Sequence, residues 1–175
     1  MSAPNIGFGT QQPTWILHIA NRPELDCFQH DTYRQLSTGE AADIIKQTSN
    51  HWRKVFSIMA KISFALFETD CATWQQYRDS KLLTGEGFEA ISFEPYEPNS
   101  NGQLAIICGF TYAETQVQLE MLIPHIEQPK ILIAASKDYL VTPYFDWRQL
   151  NNEMLAHLTN AMKNLIGKYV DAIEI

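Results

Sequence analysis

Two side chains stand where the sequence could do covalent or proton chemistry. Cys108 ends the apolar run Leu104-Ala105-Ile106-Ile107-Cys108 and is followed by Gly109-Phe110-Thr111, the pattern of a strand turning into a helix. A helix N-terminus lowers a thiol's pKa, so Cys108 is the best nucleophile on offer, although free cysteine more often serves as a small buried hydrophobe. His18 interrupts the apolar run Trp15-Ile16-Leu17-His18-Ile19-Ala20. A buried imidazole needs partners for its ring nitrogens, so it is either a hydrogen-bonded structural residue or a catalytic base.

Binding groups gather after the apolar runs. Ligands of open α/β sheets bind outside the carboxyl ends of parallel strands. The residues there that could hold a ligand are Arg22, Thr111, Ser136, Lys137, Tyr139 and Tyr144. Arg22 and Lys137 favour an anionic metabolite, which backbone N–H groups near Thr111 would also support. The segment from 136 to 148 packs Tyr139, Tyr144, Phe145 and Trp147 among charges. It reads as a binding loop or as a seal over the end of a core, and sealing is the commoner use. His18, His30, His51, His125 and His157 show no metal-ligand spacing, and no Walker, G-x-G-x-x-G or G-x-S-x-G pattern is present. No metal site is expected and no motif names a cofactor.

These groups must be positioned by regular elements. The run at 14–20 is apolar on both faces and stops before Pro23, which predicts a strand. Ser37-Thr38-Gly39-Glu40 matches a capping box, and apolar residues from Ala41 to Leu66 recur at spacings of three and four, which predicts one long helix. A shorter helix carrying Trp74 and Tyr77 follows Asp70 as its cap. Phe88 to Glu94 alternates as a strand, and the turn formers from Pro95 to Gly102 suggest a hairpin to the strand at 104–108. That strand, a helix near Thr111 and the apolar run Ile131-Leu132-Ile133-Ala134-Ala135 form the pattern of a parallel βαβ unit. A last helix carries Trp147 to Ile166, is capped by Asp146 with Gln149 and stops at Gly167, and 169–175 reads either as a short strand or as a frayed tail. Residues 1–13 read as a loose arm and 14–175 as a single domain. The fold class is α/β: a three-layer α/β/α domain with a mostly parallel sheet of four or five strands, one of them antiparallel in a hairpin.

Composition bounds the function. The 175 residues are 45% hydrophobic and 19% charged, a globular balance. A net charge of -7 argues against nucleic acid, and the apolar stretch from Val55 to Phe67 is too short to span a membrane. The first ten residues lack a signal-like apolar run, and Cys27, Cys71 and Cys108 are an odd, widely spaced set, so a cytoplasmic location is expected. Ile58, Phe64, Ala65 and Phe67 lie outside the core stripe of the long helix and suggest a homodimer. The resulting expectation is a cytoplasmic small-ligand-binding protein or enzyme acting on an anionic metabolite at the strand ends. The alternative is a non-catalytic structural or interaction protein that self-associates through its long helix.

Overall fold

The computed structural model describes residues 2–98 and 103–171. In chain order the elements are β1 (Gly7–Gly9), β2 (Trp15–His18), β3 (Tyr33–Arg34), α1 (Glu40–Gln47), α2 (Asn50–Leu66), α3 (Trp74–Ser80) and β4 (Glu89–Ser92). They continue with β5 (Leu104–Cys108), α4 (Phe110–Glu114), β6 (Ile123–Pro124), β7 (Leu132–Ile133), β8 (Tyr139–Thr142) and α5 (Asn152–Asp171). The protein is mixed α/β, with one mostly parallel sheet of eight strands in the order β3-β1-β4-β2-β5-β8-β7-β6.

The four central strands, β4, β2, β5 and β8, run parallel. Side chains alternate between faces along each strand. Trp15, Leu17, Leu104, Ile106, Cys108 and Leu140 enter the main core, together with residues of α1, α2, α3 and α5 such as Ile44, Trp52, Tyr77 and Leu158. Ala105, Ile107 and Val141 point the other way into a smaller cluster with Tyr96 and Ala113 of α4.

Several expectations are corrected. The sheet has eight strands rather than four or five because its flanks are built from pieces of two or three residues, too short to show a period. One of them, β1, lies within the segment expected to be loose and buries Phe8 between β3 and β4. β4 is not a hairpin partner of β5: both flank β2 in parallel, because β2 is apolar on both faces and is covered best as a central strand.

The parallel partner of β5 is β8, while the run at 131–135 supplies only β7, antiparallel to β8. Lys137, at φ 64°, makes the turn between β7 and β8, so the expected βαβ unit closes one hairpin later. The expected long helix breaks at Thr48, whose backbone is extended and whose hydroxyl donates to the Ile44 carbonyl at 2.6 Å. Both halves bury the same face, so the apolar period runs through the break unseen.

Caps also differ. The Glu40 carboxylate accepts from the Ser37 N–H at 2.8 Å, but the Ser37 hydroxyl half of the expected capping box is not made, since Gly39 is the N-cap of α1 and makes no side-chain cap bond, and α3 is capped by the Thr73 hydroxyl instead of Asp70. α5 starts at Asn152, with the Asn151 side chain accepting from the Met154 N–H, and continues through Gly167 to Asp171. The expected strand at 169–175 is therefore helical as far as Asp171, and its remainder lies outside the described residues. Ile58 is buried within the single chain, Phe64 and Phe67 pack partly on the core, and only Ala65 of that group is exposed. Among the described residues, no helix is long and apolar enough to cross a membrane.

Candidate functional site

The connection from β2 to β4 carries α1, α2 and α3 over the main-core face, whereas that from β5 to β8 carries α4 over the opposite face. The carboxyl ends of β2 and β5 are therefore where the chain diverges, the place at which open α/β sheets leave a crevice. A cavity of about 540 Å³ lies there, lined by Ala20 after β2, by the turn from Cys108 to Tyr112 after β5 and by Tyr144 after β8. Phe110, Tyr112 and Tyr144 supply aromatic surface, while Thr111, Thr115 and Gln149 supply neutral polar groups.

Gly109 is required by this geometry. Its φ of +90° is one that side chains rarely adopt, and a Cβ there would stand 3.0 Å from Cδ2 of Tyr144. The Tyr144 ring also stacks on His51 in the first turn of α2, with ring centroids 5.3 Å apart and planes 29° from parallel. The Tyr144 hydroxyl and His51 Nε2 are 2.8 Å apart, and Asn21 Nδ2 donates to the same hydroxyl at 3.4 Å.

Burial pushes the Tyr144 phenol up to about 12, so it keeps its proton near neutrality. Burial also lowers His51, against the pull of Asp146 and with the push of Lys54. The imidazole tautomer sets which of the two donates, the Tyr144 hydroxyl to a bare Nε2 or an Nε2–H to the hydroxyl. Beyond this pair lies a second hollow of about 300 Å³, lined by Asn21, Arg22, Glu24, Ser49 and His51. Lys54 and Asp146 close a 2.6 Å ion pair nearby.

The structure brings Cys108, Thr111 and Tyr144 to the crevice and places Arg22 at the adjoining hollow. Cys108 does not have the expected thiolate character. It is fully buried on the main-core face, and burial pushes its thiol up to about 12 despite a hydrogen bond from the Phe145 N–H. With only five residues, α4 has little dipole to oppose that desolvation.

His18 lies elsewhere, on the face opposite the main core. It lines a separate polar hollow of about 400 Å³ with Ile16, Ser92, Glu94 and Gln103. Its Nδ1 is 3.5 Å from the Glu94 carbonyl oxygen, its ring meets Tyr96 edge-on, and burial lowers it to about 4.

Ser136, Lys137 and Tyr139 lie at the opposite end of the sheet from Arg22. The β7–β8 turn sits beside the amino end of β5, where the Ala105 N–H donates to the Asp138 carbonyl at 3.0 Å. Tyr139 pairs with Ala105 and packs its ring 4.9 Å from that of Tyr96, and Ser136 bonds the Asp138 side chain. The expected convergence of Arg22 with Lys137 does not occur, because β8 rather than the run at 131–135 is the parallel strand. Arg22 itself pairs with Asp31 at 2.9 Å and lies over the Phe93 ring.

Ala20, Phe110, Thr115 and Gln149 in the lining of the crevice, and His51 behind Tyr144, are site residues that sequence reasoning missed. His51 reaches Tyr144 across 93 residues, and its only local signal is Thr48-Ser49, a pair that can end one helix and cap the next.

A second polar cluster was equally unforeseen. The fully buried Glu89 accepts from the Tyr77 hydroxyl at 2.8 Å, from the Leu83 N–H at 2.8 Å and from the Ser63 hydroxyl, which in turn accepts from Trp15 Nε1 at 3.0 Å. This network ties β4 to α2 and α3, and burial raises the Glu89 pKa. Among the described residues, no group of three His, Cys, Asp or Glu could hold a metal ion.

No curated protein and no solved structure matches the chain. Residues 6–163 match the Family of unknown function (DUF6942), and the chain belongs to that family.

Proposed function

We propose that the protein binds a small organic ligand in the crevice at the carboxyl ends of β2, β5 and β8. The observation that carries this reading is the coincidence of a cavity of about 540 Å³ with the topological switch of the sheet. Tyr144, packed against Gly109 and bonded to His51, is a preorganised wall, so little ordering cost remains to be met on binding. Covalent catalysis through Cys108 is not part of the proposal, since a buried thiol held near 12 is a poor nucleophile.

The three-layer architecture, with α4 and its neighbouring loops as the thin second cover, belongs to the same reading. So does a cytoplasmic location, which free Cys27, Cys71 and Cys108 fit. A thermal-shift screen of metabolites tests the binding role. A ligand at 100 times its Kd adds about 2.7 kcal/mol to stability. The same ligand should fail to stabilise Thr111→Trp, in which the exposed Thr111 is replaced by a ring that fills the crevice. A screen without hits, or hits that stabilise Thr111→Trp equally, would reject the site.

A further inference from the structure

We infer that the ligand of this crevice is an uncharged, planar aromatic compound bearing a carbonyl or amide group; the inference rests on the binding role proposed above and specifies its substrate class. Charge is the first discriminator. Among the described residues that line the cavity, none carries a charged side chain. Two cations near the crevice are engaged elsewhere, Arg22 with Asp31 at 2.9 Å and Lys54 with Asp146 at 2.6 Å. Lys137 stands at the far end of the sheet. An ion transferred into such a site loses hydration without gaining a counter-charge, and a neutral molecule does not meet that penalty. The chain's net charge of -7 adds a long-range bias against anions.

Shape and polarity are the second discriminator. Phe110, Tyr112 and Tyr144 contribute three aromatic rings to one cavity, and aromatic surfaces gain most from another flat ring. Tyr144 cannot turn away freely, since its ring stacks on His51 and its hydroxyl is bonded to His51 Nε2 at 2.8 Å and to Asn21. Beside the rings stand the hydroxyl of Thr111 and the amide of Gln149, neutral groups that match a carbonyl or amide, while the Thr115 hydroxyl already donates to the Tyr112 carbonyl at 2.7 Å and accepts from Gln116 Nε2 at 2.8 Å. Because α4 is a single turn of five residues, its dipole adds little for a full negative charge.

Matched pairs that differ in charge but hardly in shape provide the test: benzamide with benzoate, nicotinamide with nicotinate, and indole-3-acetamide with indole-3-acetate. Each is titrated into the full-length protein at pH 7 and followed by amide NMR. The amides should shift the resonances of Gly109 to Thr115 and of Tyr144, binding at least tenfold tighter than their acids. Tyr144→Leu should lower that affinity at least fivefold while the variant keeps a cooperative urea unfolding transition. Acids that bind as tightly as amides at the same resonances would overturn the inference and leave the ligand site standing. If none of the six compounds shifts these resonances, the site and the inference fall together.

Discussion

The Tyr144 hydroxyl lies 2.8 Å from Nε2 of His51, joining the loop after the last parallel strand to the first turn of α2. This bond aligns the aromatic wall of the crevice with the helix that covers the main core. Tyr144→Phe keeps the ring and removes the bond. It should cost about 1 kcal/mol of stability in urea unfolding, the usual net value of one such bond. A variant as stable as the parent would show that the contact does not constrain the native state.

Gly109 is the other support of that ring. Gly109→Ala places a Cβ at a positive φ and within 3.0 Å of the Tyr144 ring, so we expect a loss of about 1–3 kcal/mol in denaturant titrations. Because the ring must give way, the Tyr144 proton resonances should move as well. Unchanged stability with unchanged Tyr144 resonances would contradict the tight approach.

The thiols should differ sharply in reactivity. Cys27 is exposed, whereas Cys108 is fully buried with its pKa pushed up to about 12. Iodoacetamide at pH 8 should label Cys27 in the native protein and reach Cys108 only after denaturation, as read by peptide mass spectrometry. Rapid native labelling of Cys108 would mean that its strand end opens far more readily than its packing implies.

His18 should make the fold sensitive to acid. Its pKa falls from 6.5 unfolded to about 4 folded, so its contribution to stability is fully present above about 6.5 and is lost as pH falls towards 4. A difference of roughly 2.5 pH units corresponds to about 3 kcal/mol at most. His18→Leu should abolish this part of the pH dependence in unfolding titrations between pH 7 and 4. A wild-type stability that does not respond over that range relative to the variant would refute the burial argument.

Glu89 should act with the opposite sign. Its folded pKa is raised, so its contribution is fully present below the ordinary carboxyl range and is lost as pH rises through the folded value. The stability of the wild type relative to Glu89→Gln should therefore be greatest near pH 4 and smaller at pH 7. A relative stability that grows with pH would show that the donors from Tyr77, Leu83 and Ser63 outweigh desolvation and hold Glu89 as a carboxylate.

The α/β class, the strands around 15–18, 89–92 and 104–108, and the helices around 40–66, 74–80 and after 110 are legible in the chain, because apolar period and turn chemistry are local properties. So is the placement of Thr111 and Tyr144 just beyond apolar segments. Which strands lie side by side is not local. The two-residue strands at the flanks, the parallel role of β8 and the switch between β2 and β5 depend on which apolar faces find cover in three dimensions. That pairing separates Arg22 from Lys137, turns the Cys108 thiol into the main core and brings His51 to Tyr144. A residue's type and neighbours set what chemistry it can do; its burial and its distant partners, which only the folded chain supplies, set its pKa and decide whether it does it.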